Sequence, residues 1–154
     1  VQNTGAFFGM IGFTWVAQCI GRKRAFVGGL FAAAIATTAY FQLFSGTDTI
    51  WMSFFMGFFQ LALFAGFAIY LPELFPLRLR STGTSFCYNV GRYVAATGPI
   101  TIGKLQASLS KPGTDVGQKI DAFRDAGSYM TITFAIGLIA LLFLPETKGK
   151  PLPE

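Results

Sequence analysis

Arg92 is the residue with most to do in this 154-residue chain. It lies nine residues after Gly83 in a long apolar run. At 1.5 Å per helical residue that is about 14 Å into a span, near the middle of a hydrocarbon layer ~30 Å thick. A guanidinium there is costly to desolvate, so it must face a bundle interior or a wet cavity and meet an anion. None of the apolar runs contains an Asp or Glu. The anion is then either a solute carboxylate, which the guanidinium fork grips bidentately, or a carboxylate elsewhere in a larger protein. Ser85, Tyr88, Asn89, Arg92, Ala96 and Pro99 recur at three- and four-residue spacing, which gives one polar, small-residue stripe on a helix. Gln60, ten residues into a phenylalanine-rich run, is a second midplane polar group. Its amide suits either a solute or a neighbouring helix. The candidate solute contacts are therefore Arg92, Asn89, Tyr88 and Gln60.

A second set of charges stands between the apolar runs. Glu73 and Arg80 flank Pro76 in the segment Pro72-Glu73-Leu74-Phe75-Pro76-Leu77-Arg78-Leu79-Arg80. Proline has no backbone N–H and ends a helix, so the two charges belong to the end of one helix and the start of the next. Exposed, such a pair contributes little; at a closing interface it can latch one conformation. Gly21-Arg22-Lys23-Arg24 is a tight basic turn, and Pro145-Glu146-Thr147-Lys148-Gly149 follows the last apolar run.

The elements that must carry these residues are membrane helices. Apolar residues make up 53% of the chain and charged ones only 12%, with a mean hydropathy of +0.53, outside the usual range of a soluble domain. Runs at about 3–20, 25–44, 50–71, 83–105 and 127–144 are each long enough to cross a bilayer. The expected fold is an all-α membrane protein with five transmembrane helices, a connector at 106–126 and a tail at 145–154. Asp115 and Gln118 carry helix N-cap spacing, and Val116, Ile120 and Phe123 follow at helical intervals, so a short amphipathic helix or an irregular loop fits that connector.

Basic residues mark the Gly21–Arg24 turn, the Pro72–Thr82 hinge and the tail with Lys148 and Lys150. The positive-inside rule puts these three segments, and the C-terminus, in the cytoplasm of a multi-pass protein of the cell (inner or plasma) membrane. The short Ser45–Thr49 connector, with Asp48 and no base, and the mixed-charge Gln106–Ala126 connector fall outside. The chain begins Val-Gln-Asn-Thr, which reads as an internal start.

Enzyme chemistry finds little here. There is no His, and Cys19 and Cys87 lack CxxC partners, so neither a metal site nor a cofactor is expected. Only Ser85 or Tyr88 beside Arg92 offers a nucleophile, without a base.

The spacing Glu73-x-x-Pro76-x-x-x-Arg80 and the motif Pro145-Glu146-Thr147-Lys148-Gly149 resemble those of the major facilitator superfamily, in its sugar porter and metabolite:proton symporter branch. The resemblance extends over essentially the whole chain and implies the C-terminal part of a twelve-helix fold, helices eight to twelve. Arg22 and Lys23 resemble the end of the family's Gly-x-x-x-Asp-Arg-x-Gly-Arg-Arg loop motif, degraded here by Thr14, Gln18 and Cys19. It further implies that Glu73, Arg80, Arg22, Glu146 and Lys148 gate the cytoplasmic side, and that two six-helix halves rock about a midplane site.

The expected function is secondary active transport of a small polar organic solute, organic anion or sugar, by alternating access with proton coupling. The alternatives are a facilitated sugar uniporter, a membrane-embedded enzyme or a non-transporting remnant. The expected partners are the lipid bilayer, the N-terminal half of the same protein, the solute and protons, and no nucleic acid.

Overall fold

The computed structural model describes residues 1–43, 49–109 and 116–149. The Ser45–Asp48 stretch, the cap at Asp115, Lys111 and the end of the tail with Lys150 lie outside the described residues. Seven helices account for nearly all the rest: α1 (Gln2–Ile20), α2 (Arg22–Leu43), α3 (Thr49–Leu74), α4 (Arg80–Ala95), α5 (Gly98–Leu109), α6 (Val116–Tyr129) and α7 (Ile132–Phe143).

Among the described residues three stretches are long and apolar enough to cross a membrane: α2, α3, and α6 with α7 taken together as Val116–Phe143. The other two expected spans differ for separate reasons. α1 is 19 residues long but dilutes its apolar content with Gln2, Asn3 and Gln18. The 83–105 run is not one helix. It breaks at Ala96–Thr97, where Thr97 N–H bonds Val94 O at 3.1 Å and the Thr97 hydroxyl bonds the same carbonyl at 2.7 Å. Pro99 is the cause: it supplies no N–H to the preceding turn, and its ring crowds the carbonyl four residues back.

The α1–α3 crossing depends on glycine. Gly5 and Gly9 of α1 lie against the carbonyls of Phe54 and Phe58, and Gly57 of α3 lies against that of Gln2. A Cβ at any of these positions would overlap a backbone oxygen. Small residues let membrane helices approach this closely, where lipid offers no hydrophobic drive for association.

The core is built from α1, α2, α3 and α7: Phe13, Ala17, Ala25, Phe26, Ala33, Ala62, Leu63, Tyr70 and Leu141. Phe26 is its centre, with ring centroids 5.3 Å from Phe13, 5.2 Å from Phe67 and 5.7 Å from Tyr70. The helix beginning at Val116 packs on α2 through Phe41 and Phe123, ring centroids 5.5 Å apart, and buries Ala122, Ala126 and Gly127. By contrast, α4 and α5 bury no residue. The outer faces are strongly apolar: Trp15, Trp51 and Phe143 are all exposed, the reverse of a water-facing surface.

Candidate functional site

The basic turn, the end of α3 and the tail after α7 converge at one end of the bundle. Arg22 meets Glu73 in a forked ion pair, with Nη2 to Oε1 at 2.9 Å and Nε to Oε1 and Oε2 at 3.3 and 3.2 Å. The Thr147 hydroxyl donates to Glu73 Oε2. The Tyr70 hydroxyl, one turn back along α3, donates to the carbonyl of Pro145.

Glu146 does a different job. Its carboxylate accepts the backbone N–H groups of Arg22 at 3.0 Å and Lys23 at 3.1 Å. It thereby caps the N-terminus of α2, where unpaired N–H groups and the positive end of the helix dipole favour an anion. It also accepts from Thr147 and Lys148 N–H, both at 3.1 Å. Burial pushes the Glu146 carboxyl up, but the N–H donors of Lys148, Arg22, Lys23 and Thr147 outweigh it and hold the group below its ordinary value.

Gly21 makes room for this. Its φ of 105° is in the region that disfavours side chains, and a Cβ there would stand 2.8 Å from Glu146 Oε2.

Two lysines complete the tie with opposite polarity. Lys23 Nζ donates to the carbonyls of Leu142 and Leu144, at 3.3 and 3.1 Å, closing the end of α7. Lys148 Nζ donates to Cys19 O at 2.6 Å, closing the end of α1. Cations at helix C-termini are favoured by the dipole.

Arg80 is not part of the pair. Glu73 reaches Arg22 across α2–α3 instead, and among the described residues Arg80 Nε is buried without a hydrogen-bond partner.

The α4 stripe is arranged quite differently. Arg92 is exposed, and its guanidinium carbon lies 5.8 Å from the centroid of the Tyr88 ring, within cation–π range. Among the described residues no carboxylate pairs with it. Asn89 turns its amide back to Ser85 O at 2.8 Å.

Tyr88 and Asn89 also border a cleft of about 330 Å³ between α3 and α4, lined by Phe64, Phe67, Ala68, Leu71, Thr84 and Ser85 as well. Thr84 Oγ1 is buried there without a partner among the described residues. Arg92 and Gln60 do not line this cleft. Gln60 donates to Thr37 Oγ1 at 2.8 Å, and Thr37 in turn donates to Ala33 O, so its amide joins α3 to α2.

Sequence reasoning passed over Thr37, Tyr70, Lys23, Thr84 and Thr147 as participants. A signal existed for Lys23 and Thr147, which stand inside the two charged motifs. The others become visible only when the helices are assembled. Among the described residues no three His, Cys, Asp or Glu side chains are grouped to hold a metal ion.

Residues 2–154 match the family model described as sugar (and other) transporter. A Haemophilus influenzae protein whose name assigns it to metabolite transport is 29% identical over 94% of this chain and 34% of its own length. A Cupriavidus pinatubonensis protein named for 4-methylmuconolactone transport is 27% identical over 97% of this chain and 32% of its own. The niacin transporter NiaP of Acinetobacter baylyi is 27% identical over 94% of this chain and 30% of its own. This chain spans about a third of the length of these relatives. No solved structure matches it. The helices, their apolar outer faces and a family match over nearly every residue agree: the chain belongs to the sugar (and other) transporter family of the major facilitator superfamily.

Proposed function

We propose that this chain is the C-terminal part of a secondary transporter that carries a small organic anion by alternating access, with Arg92 as the solute's principal ionic contact. The observation that carries this is the state of Arg92. Its guanidinium rests on the Tyr88 ring on an exposed stripe of α4, with no carboxylate paired to it among the described residues. Of the described acids, Glu73 and Glu146 are engaged at the far end of the bundle and Asp121 lies beside Arg124 on α6, so an acid for a permanent ion pair would have to come from the rest of the protein. Relatives named for niacin and 4-methylmuconolactone handle small organic acids, which favours an anion over a neutral sugar. Tyr88 and Asn89 supply ring and amide contacts beside the guanidinium. Gln60 adds its carbonyl oxygen and second amide hydrogen from α3.

In this reading α1, α2, α3, α4 with α5, and α6 with α7 are five spans, helices eight to twelve of twelve. The Arg22–Glu73–Glu146–Lys148 end is cytoplasmic and latches the inner side while the outer side is open. Arg80, at the start of α4, stands beside that latch as a further cytoplasmic charge. Proton coupling needs a titratable group along the path, and the described spans offer no mid-membrane carboxylate, so the proton carrier belongs to the rest of the protein.

Uptake by the complete protein tests this. Arg92→Gln is expected to abolish uptake of aromatic and unsaturated organic acids at unchanged membrane expression, and Arg92→Lys to restore part of it. Full uptake by Arg92→Gln, or uptake of neutral sugars alone, would overturn the anion reading. Glu73→Gln is expected to shift the balance of inward- and outward-facing states without changing solute choice.

A further inference from the structure

We propose that the α3–α4 cleft and the arginines at its mouth bind one anionic phospholipid, with the phosphate at Arg78 and Arg80 and an acyl chain along the cleft. The charge balance at this end leaves capacity for an external anion. Among the described residues, Arg22, Lys23, Arg24, Arg78, Arg80 and Lys148 face only two carboxylates, Glu73 and Glu146. Both acids are taken: Glu73 by Arg22 and Thr147, Glu146 by four backbone N–H groups. Lys23 and Lys148 rest on carbonyls. Arg78 is exposed, and Arg80 has a buried Nε with no acceptor among the described residues.

The cleft begins one turn further on. Arg80, Thr84 and Tyr88 follow at four-residue intervals, so they share one face of α4. Thr84 and Tyr88 form one wall of the cleft, opposite Phe64, Phe67, Ala68 and Leu71 of α3. The result is a cationic mouth opening on an apolar slot with one buried hydroxyl, Thr84 Oγ1, near the entrance. Free phosphate complements only the mouth. A neutral lipid complements only the slot. An anionic diacyl lipid complements both, and basic residues beside a membrane helix attract such headgroups. The inference is independent of whether Arg92 binds solute, and lipid binding is read without any transport assay.

The test uses the complete protein, stripped of lipid in a neutral detergent and titrated with dioleoyl phosphatidylglycerol or dioleoyl phosphatidylcholine under native mass spectrometry. One phosphatidylglycerol should be retained on the order of tenfold more tightly than phosphatidylcholine, with the preference lost in the double variant Arg78→Gln/Arg80→Gln. Ala68→Phe, which fills the slot at an exposed position, should weaken phosphatidylglycerol by a similar factor, and millimolar inorganic phosphate should not displace it. Equal retention of the two lipids, or an undiminished preference in the double variant, overturns the proposal. So does unchanged binding in Ala68→Phe, the result expected if the rest of the transporter covers the cleft, or displacement by inorganic phosphate, which would mark a simple anion site.

Discussion

The charged end of the bundle and the α4 stripe use the same residue types to opposite ends. At the charged end every acid among the described residues is matched. Glu73 has a forked arginine and a hydroxyl, Glu146 has four N–H donors, and two lysines close two helix C-termini. Along α4 no residue is buried, and Arg92 keeps only an aromatic neighbour. Charges that hold helices together are saturated by the chain itself. The guanidinium of Arg92 keeps unused capacity. The proposed transport cycle would use both, the saturated end as a tie that can be released and the unsaturated stripe as a face for a solute.

The contrast breaks most visibly at glycine. Gly9→Val drives a side chain into the Phe58 carbonyl, and the same change at Gly91 meets nothing within 4 Å. Gly9→Val is expected to destabilise by about 3 kcal/mol or more, seen as loss of monodisperse protein in detergent. If Gly9→Val melted like wild type, the α1–α3 contact would not be the rigid part of the molecule.

Glu73→Gln comes next. It leaves the Arg22 guanidinium, whose side chain is only 20% exposed, without its counter-charge. The cost is expected at about 1–2 kcal/mol, below that of a fully buried pair because solvent reaches both partners. A cycle with Arg22→Gln should show the two changes to be strongly non-additive in thermal unfolding. Additive losses would mean that the pair is no tie. Glu73→Gln should still accept a hydrogen bond from Thr147, so Thr147→Val on top of it is expected to lower stability further.

Much of this division is legible in the chain, though not the identity of the partners. Apolar runs located α1, α2, α3 and α7, but they merged α4 with α5 and left most of α6 in a connector; Pro76 marked where α3 must stop, as it does at Leu74. The motif Pro145-Glu146-Thr147-Lys148-Gly149 identified a charged tail, but nothing local says that Glu146 caps a helix more than a hundred residues earlier. Similarly, Arg78 and Arg80 are the cations that follow Glu73 just beyond Pro76, whereas the observed partner, Arg22, is 51 residues away. Proximity along the chain favours the wrong arginine because partners between helices are set by packing, here by the aromatic cluster around Phe26. The break before α5 was signalled by Pro99, which also fits the polar stripe as a small residue. Periodicity alone cannot separate those two roles.

Acid tests the charged end more gently. Glu146 has its pKa held below the ordinary 4.5, so its ionised form is the one the fold favours. Its contribution is complete above 4.5 and drains away as pH falls through that value and past the lowered one. The cap on α2 should therefore weaken only in that acid window. Thermal midpoints followed from pH 7 to 3 are expected to fall less steeply for Glu146→Gln than for the wild type, which is the more stable of the two at neutral pH. Parallel curves would assign the acid sensitivity to other carboxylates.

The smallest expected effect sharpens the comparison from the other side. Gly91 precedes Arg92 on α4, and a Cβ there meets open space among the described residues. In an exposed helix interior, alanine is favoured over glycine by roughly 0.5–1 kcal/mol, through propensity and the entropy of the unfolded chain. Gly91→Ala in the complete protein is therefore expected to leave the thermal midpoint unchanged or raise it slightly if the α4 stripe borders a water-filled path. If helices from the rest of the transporter pack against that stripe, the added methyl must displace them, and the same substitution should destabilise by about 1 kcal/mol or more. Gly91 lies about 100° round the helix from Arg92, so the sign of this one small change decides whether the flank of the stripe stands at a cavity or inside a helix interface. It does so without any knowledge of the solute, because a methyl group reports on space and not on charge.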